Sequence, residues 1–293
     1  MLAPSSLPTT TEMFEPLQDE FMRRAMVEVT LIGIAGGALG CWVILYRLSY
    51  AAESLAHSIF PGLVLASLAG VPLIVGGIPG IVVAALAIAA ASRIPGVTRE
   101  VAIGVVVTTL FGLGVLLALS PDSPPGLQEI LFGDILGPTD TDLAAAGLLA
   151  VVVAASLLLL HGRLLAGGFD PGAARSLGAA PGRTEATLLV LLAVAIVVAV
   201  QGLGNLLVVA VFVGPAAAAR QLTDRTVPMI ALAVAIAVLA GIAGLYLSYY
   251  AGTAGGASVA LAIVAAYLLS LPAARLGSLL RGEKRTPAEA TIG

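Results

Sequence analysis

Residues 226–274 read TVPMIALAVAIAVLAGIAGLYLSYYAGTAGGASVALAIVAAYLLSLPAA, without one Asp, Glu, Lys or Arg. The stretch holds two apolar runs, 227–248 and 258–273, separated by Tyr249-Tyr250 and the glycine-rich Ala251–Ser258. Each run is close to the roughly 20 residues that a helix needs to cross the hydrocarbon core of a bilayer. Open strands would leave backbone groups unpaired in lipid. A membrane barrel would alternate apolar and polar positions, and no alternation is present. The stretch therefore predicts two membrane-spanning helices joined by a tight turn.

Working outward, the same pattern recurs along the chain. Further apolar runs occupy 27–46, 55–71, 73–92, 101–120, 142–161, 186–201 and 203–219. The expectation is an all-α polytopic membrane bundle of about nine spans. The pairs 55–71/73–92 and 186–201/203–219 are joined only by Pro72 and Gly202, so either also reads as a re-entrant or broken helix, and eight spans is the alternative count. Composition agrees: 59% of the 293 residues are hydrophobic and 11% charged, against roughly 25% charged in a soluble domain, and mean hydropathy is +1.06. A net charge of −3 leaves no basic field for nucleic acid. The single cysteine, Cys41, can form no intrachain disulfide.

Basic residues set the expected orientation. With the N-terminus outside and nine spans, the inner segments hold Arg47, Arg93, Arg99, Arg163, Arg175, Arg183, Arg220, Arg225, Arg275, Arg281, Lys284 and Arg285, leaving only Arg23 and Arg24 outside. The expected organisation is an extracytoplasmic tail over 1–26, a transmembrane domain over 27–273 and a cytoplasmic tail over 274–293. Residues 1–26 are polar and acidic and do not read as a cleaved signal.

Catalytic signatures are largely excluded. The only lysine, Lys284, lies in Arg-Gly-Glu-Lys-Arg, so no GxxxxGK[ST] phosphate loop exists. Two histidines, His57 and His161, form no HExxH, and one cysteine cannot make a CxxC zinc site. Ser258 is not in a Gly-x-Ser-x-Gly elbow. No catalytic residue and no tightly bound cofactor are expected.

Ionisable groups at membrane depth are costly and usually functional. The sharpest case is Ser49-Tyr-Ala-Ala-Glu53-Ser-Leu-Ala-His57-Ser-Ile-Phe-Pro61-Gly62. Glu53 and His57 are four residues apart and share a helix face. A carboxylate with an imidazole suits a divalent first-row metal. The alternative is a Glu–His contact that only fixes helix packing at the inner membrane edge. His161, beside Gly162-Arg163, reads as an interfacial residue closing a span.

Several motifs carry a family resemblance. Ser49, Tyr50, Leu55, Ala56 and His57 match the pattern Ser-Tyr-x-x-Asp-x-Leu-Ala-His, with Glu53 at the acidic position. Leu131-Phe132-Gly133-Asp134-Ile135-Leu136, Val213-Gly214-Pro215 through Arg220, and Ala254–Ser258 follow in the same order. Over about residues 27–272 the chain resembles the metal-type permeases of bacterial ABC importers, the metal-chelate ABC-3 family.

The resemblance implies a type II importer-like permease for zinc, manganese or iron in the bacterial plasma (inner) membrane. It implies a homodimer, with ATP used by separate cytoplasmic ATPase subunits and the ion delivered by an extracytoplasmic binding protein. Glu53 and His57 become transient pathway or gate ligands for the transported ion. The short segment Asp170, Pro171, Gly172, Arg175, Gly178 becomes the ATPase-coupling helix; Asp170 suits its N-cap, Pro171 its first position and Gly178 its end. The proline-rich outer loop 120–142, with a short helix near 126–136 and with Gly133 and Asp134, becomes the docking loop for the binding protein. The spacings Gly33-x-x-x-Gly37 and Gly36-x-x-x-Gly40 predict close helix packing. Two rival classes are an ion-coupled secondary transporter working without an ATPase, for which no internal inverted repeat is visible, and an intramembrane enzyme, which lacks a nucleophile partner.

Overall fold

The computed structural model describes residues 12–119, 138–169, 172, 175, 181–204 and 207–280. A 3-10 turn, Glu12–Leu17, precedes α1 (Glu20–Leu45), α2 (Ser49–Ser58), α3 (Phe60–Leu68), α4 (Leu73–Ala91), α5 (Arg99–Ala118), α6 (Asp140–Phe169), α7 (Pro181–Leu203), α8 (Val208–Leu222), α9 (Thr226–Ala251) and α10 (Gly255–Leu280). No strand occurs among the described residues. The all-α membrane bundle expected from the apolar runs is what the chain forms.

Eight of these units are long and apolar enough to cross a bilayer, with α2 and α3 counted together as Ser49–Leu68. The ninth, α8, has 15 residues and is about 22 Å long at ~1.5 Å per residue, short of the roughly 30 Å hydrocarbon core. The sense of α9 shows that α8 nevertheless carries the chain across. Gly33 of α1 faces Val238, and Gly37 faces Val234, so α9 runs antiparallel to α1. With strict alternation from α1, that sense requires α8 to be a crossing. Nine crossings result among the described residues, one of them short.

Helix α1 is the centre of the molecule. It packs on α6, α7, α8 and α9, and Met22, Ala25, Leu39, Trp42 and Val43 on it are wholly buried. Glycines make this closeness possible: a Cβ on Gly37 would lie 2.8 Å from Val234 Cα, and one on Gly40 would meet the Phe212 backbone of α8. Helices α2 to α5 pack among themselves, and α7 joins them to the α1 side by touching α1, α2, α4 and α6. Outward faces stay apolar: Leu86, Leu116 and Leu159 are 65, 69 and 85% exposed, as a lipid-facing surface requires.

Helix bounds differ from the apolar runs in an informative way. The second span begins at Ser49 rather than 55, because Glu53 and His57 dilute the hydropathy of a stretch that is helical nonetheless. Helix α1 begins at Glu20, within the stretch expected as a tail. Helix α6 continues past His161 to Phe169, so His161 lies inside a helix instead of closing it, with its ring edge-on to Trp42 at 5.7 Å. Arg24, a basic residue at the N-terminal end, is bound by Glu20 at 2.9 Å and by Asp140 at 2.7 Å, which offsets its charge locally.

Candidate functional site

Helix α2 owes its start to a reversal after α1. Arg47 adopts φ 56°, and the Leu48 N–H donates to Val43 O at 2.7 Å, turning the chain back into the bundle. The helix then runs to Ser58, and Ile59 links it to α3. The break is explained by Pro61, which has no N–H to offer the His57 carbonyl one turn back. Two of the three serines on α2 bond back to their own helix: Ser54 Oγ donates to Tyr50 O at 2.7 Å and Ser58 Oγ to Ser54 O.

Alternate faces of α2 have opposite fates. Ala52, Ser54, Ala56 and Ser58 are buried, whereas Tyr50 and Glu53 are exposed and His57 is half-buried. Glu53 lies about 6 Å, and His57 about 12 Å, along the axis from Ser49 at ~1.5 Å per residue. They share one face, as their spacing predicts. The face opens out of the chain's own bundle, and no ion pair or hydrogen bond joins the two side chains among the described residues. The direct Glu–His hydrogen bond weighed from the sequence is therefore not formed, although the Glu53 charge still acts on the imidazole. No group of three or more His, Cys, Asp or Glu side chains clusters among the described residues, so those residues bring these two donors to an ion here.

Three residues of α5 beside the pair were not visible from the sequence. Phe111 of α5 meets the His57 ring edge-on at 5.2 Å, and Phe60 lies against Phe111 at 5.4 Å. Gly104 of α5 sits under the Tyr50 hydroxyl. Thr108, on the same α5 face between Gly104 and Phe111, is exposed, its hydroxyl donating to Gly104 O at 2.8 Å. His57 Nδ1 is buried with no partner among the described residues. The imidazole is thus held by aromatic edges rather than hydrogen bonds. Nothing in the α5 sequence marks these positions, because only the packing of α5 on α2 brings them together.

The remaining expected positions divide. Gly172 and Arg175 are helical and exposed. Asp170, Pro171 and Gly178 lie outside the described residues, as do Gly133 and Asp134 with the short helix expected near 126–136. In the two later motifs the structure shows built features. Pro215 is buried inside α8 and Arg220 closes it, 3.4 Å from Asp224. Gly252, at φ 62°, ends α9, and Thr253 Oγ1 lies 2.7 Å from Ser258 Oγ across the turn.

Known proteins resemble this chain along most of its length. It is 30% identical over 273 residues to the manganese transport system membrane protein MntC of Listeria monocytogenes, covering 93% of this chain and 98% of that one. It is 32% identical over 250 residues to the chelated iron transport system membrane protein YfeC of Yersinia pestis, covering 85% of each. Among solved structures, PsaBC from Streptococcus pneumoniae in complex with Fab superposes with a TM-score of 0.83 at 28% identity, covering 89% of this chain and 95% of that one. The model of the ABC 3 transport family matches residues 18–274, and the chain belongs to that family.

Proposed function

We propose that this chain is the membrane-spanning permease subunit of an ATP-driven importer of a divalent transition metal, with manganese or iron favoured over zinc by what the relatives are named for. Two copies form the path. Separate ATPase subunits dock on the cytoplasmic side, where the segment around Gly172 and Arg175 lies if the N-terminus is outside. An extracytoplasmic binding protein delivers the ion through the loop containing Gly133 and Asp134. The chain itself carries out no hydrolysis.

The observation that supports the pathway role is the exposure of Glu53 beside His57, inside a membrane-length helix. A charge facing lipid costs up to roughly 2.5–3.5 kcal/mol at the bilayer centre, and part of that cost applies to Glu53 about 6 Å into its span. Glu53 escapes that cost if its face meets a second copy across a hydrated path. Two copies then offer two carboxylates and two imidazoles, a donor set that suits manganese or iron. The ion must also be released, which favours few, weakly held ligands over a closed site. The aromatic edges around His57 are consistent with that: they position the ring without locking it.

The test is reconstitution. The chain is purified with its candidate ATPase and placed in liposomes with its binding protein, and radiolabelled manganese uptake is followed with and without ATP. Uptake that needs ATP and a stoichiometric ATPase supports the importer. Transport by the chain alone, driven by an ion gradient, overturns it in favour of the secondary transporter.

A further inference from the structure

A cleft of about 540 Å³ opens between α2, α4, α5 and α7, away from the Glu53–His57 face. Its walls are apolar, formed by Leu55, Ile81, Ala85, Ile88, Leu189 and Ala193 among others. The two hydroxyls on its wall are already committed: Ser54 Oγ donates to Tyr50 O and Ser92 Oγ to Ile88 O, each at 2.7 Å. Among the described residues no carboxylate, imidazole or thiolate lines it, so those walls offer a metal ion no ligand.

The charge lies at one end. Helices α4 and α7 run antiparallel, since Gly77 of α4 faces Val197 of α7 while Ile88 and Ser92, later on α4, share the cleft with Leu189 and Val190, earlier on α7; the close of α4 therefore meets the start of α7. Arg93 directly follows Ser92 of the cleft wall and is exposed. Arg183 is exposed and stands two turns before Val190, on the same face of α7, and Val190 also lines the cleft. Among the described residues neither arginine has an ion pair. Of the acids at this end, Glu185 acts on Tyr46 on the α1 side, where burial first and this charge second push the phenol up. Glu100, one turn before Ile103 of the cleft wall, is exposed, as are Glu53 early in α2 and Arg47 ahead of it, so this end carries both signs, with Arg93 and Arg183 the cations placed beside the cleft between α4 and α7.

We infer that this cleft binds an anionic phospholipid, with an acyl chain between α2, α4, α5 and α7 and its phosphate between Arg93 and Arg183. An apolar slot inside a bilayer that opens beside unpaired arginines complements that molecule at both ends. The guanidinium fork matches a phosphate bidentately, and basic pockets between membrane helices recognise anionic headgroups.

Native mass spectrometry of the purified chain, with phosphatidylglycerol or phosphatidylcholine added, tests this. The wild-type chain should retain phosphatidylglycerol in clear preference. Replacing Arg93→Gln and Arg183→Gln should reduce that preference about fivefold per arginine, with both substitutions on exposed positions that leave the bundle intact. Ala193→Trp, which fills the slot, should reduce retention of both lipids while gel filtration shows the chain still folded. Equal retention of the two lipids by the wild type, an undiminished preference in the double arginine variant, or a cysteine at Ala89 that cross-links two copies through the cleft would each overturn the assignment.

Discussion

The Tyr249 hydroxyl, near the end of α9, donates to the Asp19 carboxylate just ahead of α1 at 3.0 Å. Phe21 and Tyr249 also stack, with ring centroids 6.5 Å apart. The start of the first crossing and the end of the eighth therefore lie on one side of the membrane, which holds only if the short α8 crosses. Single cysteines at Gln18 and Thr253 should react with an impermeant maleimide from one side, and a cysteine at the exposed Asp224 from the other. Cys41, wholly buried, should stay silent. Labelling of Gln18 and Asp224 from one side, with Thr253 reached only from the other, would mean that α8 does not cross.

Close approach of α1 to α9 should be intolerant of even one methyl group. A Cβ on Gly37 meets the backbone of Val234 and Ala233 within 3 Å, and backbone cannot rotate away. Gly37→Ala should lower stability by roughly 1–3 kcal/mol, read as a lower thermal midpoint in detergent. Gly112→Ala, where a Cβ would meet open space, is the control and should leave the midpoint unchanged.

Glu28 of α1 is only 2% exposed and lies over Gly202 at the end of α7, where a Cβ would come 2.8 Å from the Glu28 Cδ. Gly202→Ala should destabilise the chain by about 1–3 kcal/mol. Adding Glu28→Ala should recover part of that loss, because residues in contact couple. Strict additivity in the double-mutant cycle would show that the carboxylate is not what Gly202 accommodates.

At Glu53 the charge should matter more than the side-chain length. Glu53→Gln should reduce manganese uptake by on the order of tenfold or more, the scale of effect for groups that hold or orient metal ligands. Glu53→Asp should retain most of it, since only a methylene is lost. Equal uptake by Gln and wild type would remove Glu53 from the path.

The outward face of α2 should also report the second copy. In a Cys41→Ser background, Glu53→Cys should form a covalent dimer under mild oxidation, visible on a non-reducing gel. A cysteine at Leu159, 85% exposed on the apolar surface of α6, should not. A dimer through Leu159 and none through Glu53 would move the interface away from the proposed path.

Much of this was legible in the sequence. Long apolar runs report membrane helices because a helix satisfies its own backbone in lipid, a local requirement that needs no partner. The i, i+4 spacing of Glu53 and His57 placed both on one face for the same local reason. The runs misjudged where helices begin, as at Ser49 and Glu20, because hydropathy registers charged residues as interruptions, whereas a helix tolerates them where its face is not turned to lipid. The partners of His57 were not legible: Phe111 lies 54 positions away and reaches the ring only through the packing of α5 on α2.

The sequence by itself determined that the chain is a bundle of membrane helices, roughly where they lie, and which acid and which histidine share a face. Those are consequences of length, period and hydropathy within single segments. The tertiary structure alone decided that α8 crosses despite its length, that α1 sits at the centre, that Glu53 looks out of the chain's own bundle, and that an apolar cleft opens beside Arg93 and Arg183. Each depends on which helix faces meet, and that is set by glycine-permitted contacts between residues far apart in the chain.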